Sequence, residues 1–333
     1  MSAPLLTHGD QSVDAPFMFT CIRCMLDFPD EAKSVEHIVP SSLGGSLILH
    51  DICVPCNSIW GRIVDVPLVD HFLCQLARNQ FEIAGRDGHI PNPVGRGTLV
   101  RDPERRVRTG LGLPKGAERP PFFEIGRICR TLPDGTQVIT FHGDRKRQAE
   151  VVAAAKRFEE RANRDGRTVV RQEPIVTRME RPEVTVPISQ DLDLWRAGML
   201  KIAYELAYLE LGRKFLDDEV GQEVRKRLQT IDLQPGIATG LRVTAGFGPG
   251  IGQPPTPRTW HRLTLLTNDE QVVADVRIFN VLHFTTVISD RASAYPDFDE
   301  FAIYLLDARR RHCFSFMGDD PEEYCSDLLA FPP

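Results

Sequence analysis

The chain of 333 residues has no run of about 18 apolar residues, the length a helix needs to cross a bilayer, so no membrane-spanning helix is expected. Its opening stretch, MSAPLLTHGDQSVDAP, lacks both the positive n-region and the apolar h-region of a secretory signal, and a cytoplasmic protein is the expectation. Internal repeats and low-complexity runs are absent. A glycine-rich stretch at 246–257 is not followed by Lys-Ser/Thr, which argues for a plain loop rather than a phosphate cradle. A positive net charge is missing too: 40 Lys/Arg against 46 Asp/Glu give −6, which taken whole disfavours a polyanionic partner. What remains, with 42% apolar and 26% charged residues, is an ordinary globular composition on a chain long enough for two domains.

The charge is unevenly placed. Residues 95–181 hold 20 Lys/Arg against 12 Asp/Glu, whereas 182–333 hold 15 against 23. A basic middle and an acidic end suggest that the middle faces a polyanion. Within it, Arg145, Lys146 and Arg147 head a helical pattern and are the candidate phosphate contacts.

Eight cysteines in a cytosolic chain are poor candidates for disulfides. Cys74, Cys129, Cys313 and Cys325 are scattered and read as small apolar residues. Cys21, Cys24, Cys53 and Cys56 are different, because they form CxxC-x28-CxxC. Each CxxC turn presents two sulfurs to one point, and two such knuckles can close a tetrahedron around Zn²⁺. With four thiolates the site has no open position, so this zinc is structural and does not catalyse.

Between the knuckles runs Ser-Val-Glu36-His37-Ile-Val-Pro40-Ser-Ser-Leu-Gly44-Gly45, and the second knuckle continues as Cys53-Val-Pro-Cys56-Asn57 into a helical pattern. This arrangement resembles the HNH endonucleases over residues 17–80, in the subgroup whose second knuckle ends in Cys-Asn. The resemblance implies a ββα-metal fold in which a hairpin and a helix grip a divalent ion. It implies that His37 is the general base, that Glu36 stands for the usual Asp as a ligand of a catalytic Mg²⁺ or Mn²⁺, and that Asn57 stands for the usual His as a second ligand. Asp51 falls where it could hold the His37 imidazole in one tautomer. Asp65, eight residues beyond Asn57, is a candidate second-shell partner of the ion. Neighbouring strand residues point to opposite faces, so Glu36 and His37 can share one site only on an irregular strand end, which Pro40 and Gly44-Gly45 would favour.

The fold class that follows is α+β: an N-terminal HNH module with structural zinc over 17–85, preceded by a disordered tail at 1–16 and followed by a mixed α+β accessory domain over 95–333 for target recognition, regulation or dimerisation. The accessory region is expected to contain a hairpin across Leu132-Pro133-Asp134-Gly135, a helix from Asp144 to Asn163, one or two strands within 168–188, a helix to Leu211 carrying Trp195, Met199, Ile202, Leu206 and Leu209 on one face, a shorter helix near 218–228, and paired strands at 260–266 and 272–280. The implied activity is hydrolysis of DNA phosphodiesters, with RNA left open, in restriction or phage defence, and with a second copy of the chain as a candidate partner. The alternative is a catalytically inactive zinc module that binds nucleic acid or a protein.

Overall fold

The computed structural model describes residues 18–110, 112–113, 122–173, 175–176, 182–188, 194–230, 243–247, 257–268 and 270–318. The expected tail at 1–16 and residues 248–256 of the glycine-rich stretch lie outside the described residues. The chain divides into two units: Met1–Cys74 with Asp191–Pro333, and Gln75–Gln190. The sequence reading grouped 95–333 together, whereas the contacts group the helix and sheet after Asp191 with the cysteine-bearing segment.

The first unit begins with short strands and tight turns. β1 (Met18–Thr20) and β2 (Asp27–Pro29) pair antiparallel around the first knuckle, where Met25 takes a positive φ of 60°. β3 (Glu36–His37) pairs with β4 (Ile48–Leu49), Glu36 opposite Leu49 and His37 opposite Ile48. α1 (Val54–Trp60) starts at the second knuckle with Pro55 in its first turn, where a missing N–H costs nothing. It runs into a π-helical stretch, Gly61–Asp65, then α2 (Val66–Val69) and α3 (Phe72–Gln80), which carries the chain into the other unit. π turns inside helices are uncommon and often mark functional positions.

The second unit holds β5 (Arg96–Leu99), β6 (Asp102–Arg108), the hairpin β7 (Gly126–Thr131) and β8 (Gln137–His142), α4 (Gln148–Arg164), and β9 (Val184–Thr185) beside β5. The hairpin turns where expected, with Gly135 at φ 83°. The Asp144 side chain accepts from the Lys146 N–H at 2.9 Å and so caps a 3₁₀ turn, Arg145–Arg147, that leads into α4. Of the strands expected within 168–188, only Val184–Thr185 is paired among the described residues. Val170, Ile175 and Val176 are instead exposed.

Back in the first unit, α5 (Leu194–Leu211) and α6 (Glu219–Thr230) precede β10 (Val243–Phe247), β11 (Trp260–Thr267), β12 (Val272–Ile278), β13 (Leu282–Ser289), β14 (Phe301–Asp307) and β15 (His312–Gly318). These strands make one antiparallel sheet in the order β10-β13-β12-β11-β14-β15. The expected apolar face of α5 is there, but the helix is buried nearly all round, with Trp195, Met199, Ile202, Tyr204 and Leu206 all in the core. It packs on β11, β12 and β13 and also against the π stretch and α2. A helix between two layers needs apolar residues on both sides, which is why its sequence shows little amphipathic contrast. Gly198 permits the approach to α2, because a Cβ there would meet the Leu68 side chain at 2.7 Å.

The loop between β3 and β4 is held by the sheet. Gly44 (φ 89°) lies so close to Ala308 that any side chain would clash with its backbone. Arg311 donates to the Ser41 carbonyl at 3.0 Å, and buried His261 meets the Leu43 carbonyl at 2.8 Å. His261 Nδ1 accepts from the Phe279 N–H at 3.3 Å, so its other nitrogen carries the hydrogen and donates to Leu43. Burial holds this imidazole down to about 4, against the acceptor Leu43 and Asp307, and it is neutral at pH 7.

Candidate active site and metal centre

The four cysteines converge. Their sulfurs all lie within 4.8 Å of one another, and Cys21, Cys53 and Cys56 are buried. A tetrahedral zinc site with Zn–S bonds of about 2.3 Å places its sulfurs about 3.8 Å apart, so the cluster could bind zinc with little movement. Backbone bonds fix the two knuckles to each other. The Ile22 N–H donates to the Asp51 carbonyl and the Ser34 N–H to the Ile52 carbonyl, both at 2.9 Å, and Lys33 and Cys53 form an isolated bridge. The Cys53 N–H points at the Cys21 sulfur at 3.4 Å, and Arg23 Nη1 at the Cys56 sulfur at 3.5 Å. Burial pushes the Cys21 thiol up, but the N–H groups of Cys24, Cys53 and Arg23 outweigh it and leave the thiol below its ordinary value. Burial pushes Cys24 up to about 11. These opposing pulls suit a cation that replaces the thiol protons.

Glu36 and His37 sit together on β3, paired at both positions to β4. Burial separates them: Glu36 is 3% exposed, and His37 is half-buried. Asn57, in the first turns of α1, donates its amide to the Ser34 hydroxyl at 2.7 Å and to the Val35 carbonyl at 3.0 Å. It therefore braces α1 directly against the strand that carries Glu36-His37. The carboxylate of Asp51, expected to hold the His37 imidazole, has two other partners. It accepts from the Tyr208 hydroxyl at 2.9 Å and faces Lys33 at 3.8 Å. The physical reason is local: Asp51 lies past the end of β4, where the chain turns towards the second knuckle and α5 stands alongside.

Asp65 and Glu36 do come together, through a residue the sequence reading passed over. Lys201, fully buried on α5, donates to Glu36 Oε1 and to Asp65 Oδ1, the latter at 2.9 Å, and its ammonium lies 3.6 Å from Glu205. Burial opposes the lysine charge, but Asp65, Glu205 and Glu36 outweigh it and hold the ammonium above the ordinary lysine value. Burial drives the Glu205 carboxyl well above the carboxylate range, against the pull of Lys201 and with the help of Glu36 and Asp65. The π stretch contributes as well: it advances less per residue than an α-helix, which swings Asp65 back towards the face of Asn57. One face of α5 supplies the rest of the contacts. Tyr204 donates to the Ile22 carbonyl at 2.7 Å and Tyr208 to Asp51, so Lys201, Tyr204, Glu205 and Tyr208 form a stripe at helical spacing along the cysteine-bearing segment. A signal was present: a Lys and a Glu four residues apart inside LWRAGMLKIAYELAYLEL have no water to turn to if that helix is buried.

In donor chemistry the set fits a hard divalent ion. The carboxylates of Glu36 and Asp65 and the amide oxygen of Asn57 are ligands of the kind Mg²⁺ and Mn²⁺ take. Charge also fits, since even with Glu205 protonated two carboxylates converge on one ammonium. His71 is buried, with its ring 5.9 Å from that of Trp195. Arg145 and Lys146 are exposed at the head of α4, and Arg147 is held by Glu150 at 2.6 Å. No described helix is long and apolar enough to cross a membrane.

No curated protein and no solved structure matches the chain. Residues 21–73 match the family model of the HNH endonucleases, and the matched segment holds both knuckles, Glu36-His37 and Asn57.

Proposed function

We propose that the protein is a metal-dependent endonuclease that hydrolyses phosphodiester bonds of DNA, with His37 as general base. The observation that supports this reading is that half-buried His37 follows buried Glu36 on β3, with Asn57 tying α1 to the residues just before them through Ser34 and Val35. An imidazole titrates near neutral pH and can take a proton from the attacking water. Glu36 and Asn57 would hold one Mg²⁺ or Mn²⁺, with Asp65 behind Glu36. When bound, such an ion supplies positive charge for the phosphate and for the leaving oxygen. Asn57 orients the strand by its bonds to Ser34 and Val35, while Asp51 ties the hairpin to α5 through Tyr208. The cysteine cluster, loaded with zinc, fastens the two ends of the hairpin and takes no part in the chemistry.

DNA contacts beyond the module would come from basic surface elsewhere, because residues 15–80 carry 4 Lys/Arg against 7 Asp/Glu. Exposed Arg145 and Lys146 are the proposed phosphate contacts, with the Gln75–Gln190 unit acting in target recognition. A short nuclease module joined to a larger unlike region suits restriction or phage defence.

The test is plasmid cleavage in Mg²⁺ or Mn²⁺ by wild type and His37→Ala. The variant is expected to lose about 10²–10⁴-fold, the usual worth of general-base catalysis. Equal nicking by both proteins removes His37 from the reaction. A wild type that binds DNA or RNA and cuts neither is a non-catalytic zinc module.

A further inference from the structure

We propose that Lys201 is a positioning residue of the nuclease site, holding Glu36 and Asp65 from a helix that lies outside the HNH segment. This rests on the nuclease reading above. The match to the HNH family ends at residue 73, and Lys201 lies well beyond it, yet its ammonium donates to the carboxylate of Glu36, the residue before His37 on β3. The bond to Asp65 at 2.9 Å joins β3 to the end of the π stretch through one buried cation.

The arrangement has a cost that packing alone does not explain. A buried lysine has lost its water and is tolerated only with close anions, and replacing such a cluster by apolar side chains is often neutral or stabilising. A purely structural lysine at this place in a core of Trp60, Ile202 and Leu206 would be dispensable for that reason. What a methionine could not do is fix the direction of the Glu36 carboxylate. A two-residue strand sets where the Glu36 backbone lies, but its side chain keeps several rotatable bonds. Lys201 is itself held by Asp65 and Glu205, so it presents a stationary donor. Groups that orient a metal ligand in this way typically contribute about 10–100-fold in metal affinity or activity. On this assignment the HNH segment is incomplete without α5, and the region after Asp191 supplies part of the active site rather than only a support for it.

The experiment uses the full chain and compares wild type, Lys201→Arg, Lys201→Met and the double variant Lys201→Met/Glu205→Gln, which removes the stranded partner on α5. Three readouts are taken: zinc per chain with far-UV circular dichroism, Mn²⁺ binding followed by electron paramagnetic resonance in the absence of DNA, and plasmid cleavage as a function of Mn²⁺ and of plasmid. Lys201→Met or the double variant is expected to stay folded and zinc-loaded, to bind Mn²⁺ about 10–100-fold more weakly or to cleave about 10–100-fold more slowly, and to keep its half-saturation for plasmid. Lys201→Arg, which retains the charge and the donors, is expected to recover part of the loss. A folded Lys201→Met that binds Mn²⁺ and cleaves like wild type overturns the positioning role while leaving the nuclease reading intact. Loss of zinc and helix signal in both methionine variants assigns Lys201 to folding and equally overturns it. A wild type that neither binds Mn²⁺ nor cleaves removes the nuclease reading first, and this inference falls with it.

Discussion

Two clusters of ionisable groups sit in the same unit and are built in opposite ways. The cysteine cluster draws all its members from positions 21 to 56, on two turns with identical spacing. The carboxylate–lysine cluster draws Glu36 from a strand, Asp65 from a π turn, and Lys201 and Glu205 from a helix more than a hundred residues further on. The first is a local device: two short loops can fold around a metal before anything else is in place. The second exists only after α5 has docked, because each of its members is an unpaired charge until the others arrive. The cysteine cluster therefore sets where the hairpin is, and the α5 docking sets what its acidic side chain faces.

The largest effect should follow from removing that local device. Structural zinc in small domains is worth about 10–16 kcal/mol, and the two-residue strands of this hairpin have few backbone bonds of their own. Purified protein is expected to carry about one zinc per chain. Chelation or Cys53→Ser should lower the thermal midpoint sharply and abolish cleavage. If the metal-stripped chain keeps its melting temperature, the cysteines do not serve as a structural metal site, and the contrast drawn between the clusters disappears.

A middle-sized effect tests whether the sheet matters to the hairpin. His261 is neutral when folded, held down to about 4 by burial, while an unfolded histidine titrates near 6.5. Between those values the unfolded chain binds the extra proton. Its contribution is fully present above pH 6.5 and is lost as pH falls towards 4. At pH 5 the loss from this one group is about 2 kcal/mol. His261→Gln keeps an N–H for the Leu43 carbonyl and does not charge, so its melting temperature should fall less between pH 7 and pH 5 than that of wild type. Parallel curves for the two proteins would mean that other groups carry the acid response.

How much of this was legible in the sequence follows the same division. The zinc cysteines, the Glu36-His37 and Cys56-Asn57 pairs, the hairpin at Leu132–Gly135 and the strands flanking 268–271 depend on residues close together, where spacing and turn chemistry speak directly. Asp65 was singled out by its distance along the helix from Asn57, and the structure puts it on the same lysine as Glu36. Lys201 and Tyr208 were missed, because their partners are 165 and 157 residues away and nothing in the chain's local pattern links them. Asp51 shows the other side of this. Its place beside the second knuckle suggested His37 as partner, but a tyrosine from α5 reaches it instead. The grouping of residues after Asp191 with the cysteine-bearing segment has the same origin, since a helix with little amphipathic contrast states that it is sandwiched without naming the layers.

The smallest test isolates that long-range docking from the charge cluster. Tyr208→Phe removes only the hydroxyl that donates to Asp51, a part-buried bond of 2.9 Å, and leaves Lys201, Glu36 and Asp65 untouched. A neutral donor to a carboxylate with Lys33 still nearby is worth about 1 kcal/mol, which predicts a small drop in melting temperature. Cleavage should hardly change, because the Asp51 carboxylate is engaged in tying the hairpin end to α5 and in facing Lys33. If Tyr208→Phe instead cuts activity as deeply as the Lys201 variants do, then α5 acts on the site through Asp51 and not through Glu36. The carboxylate cluster would then be a consequence of docking rather than its purpose.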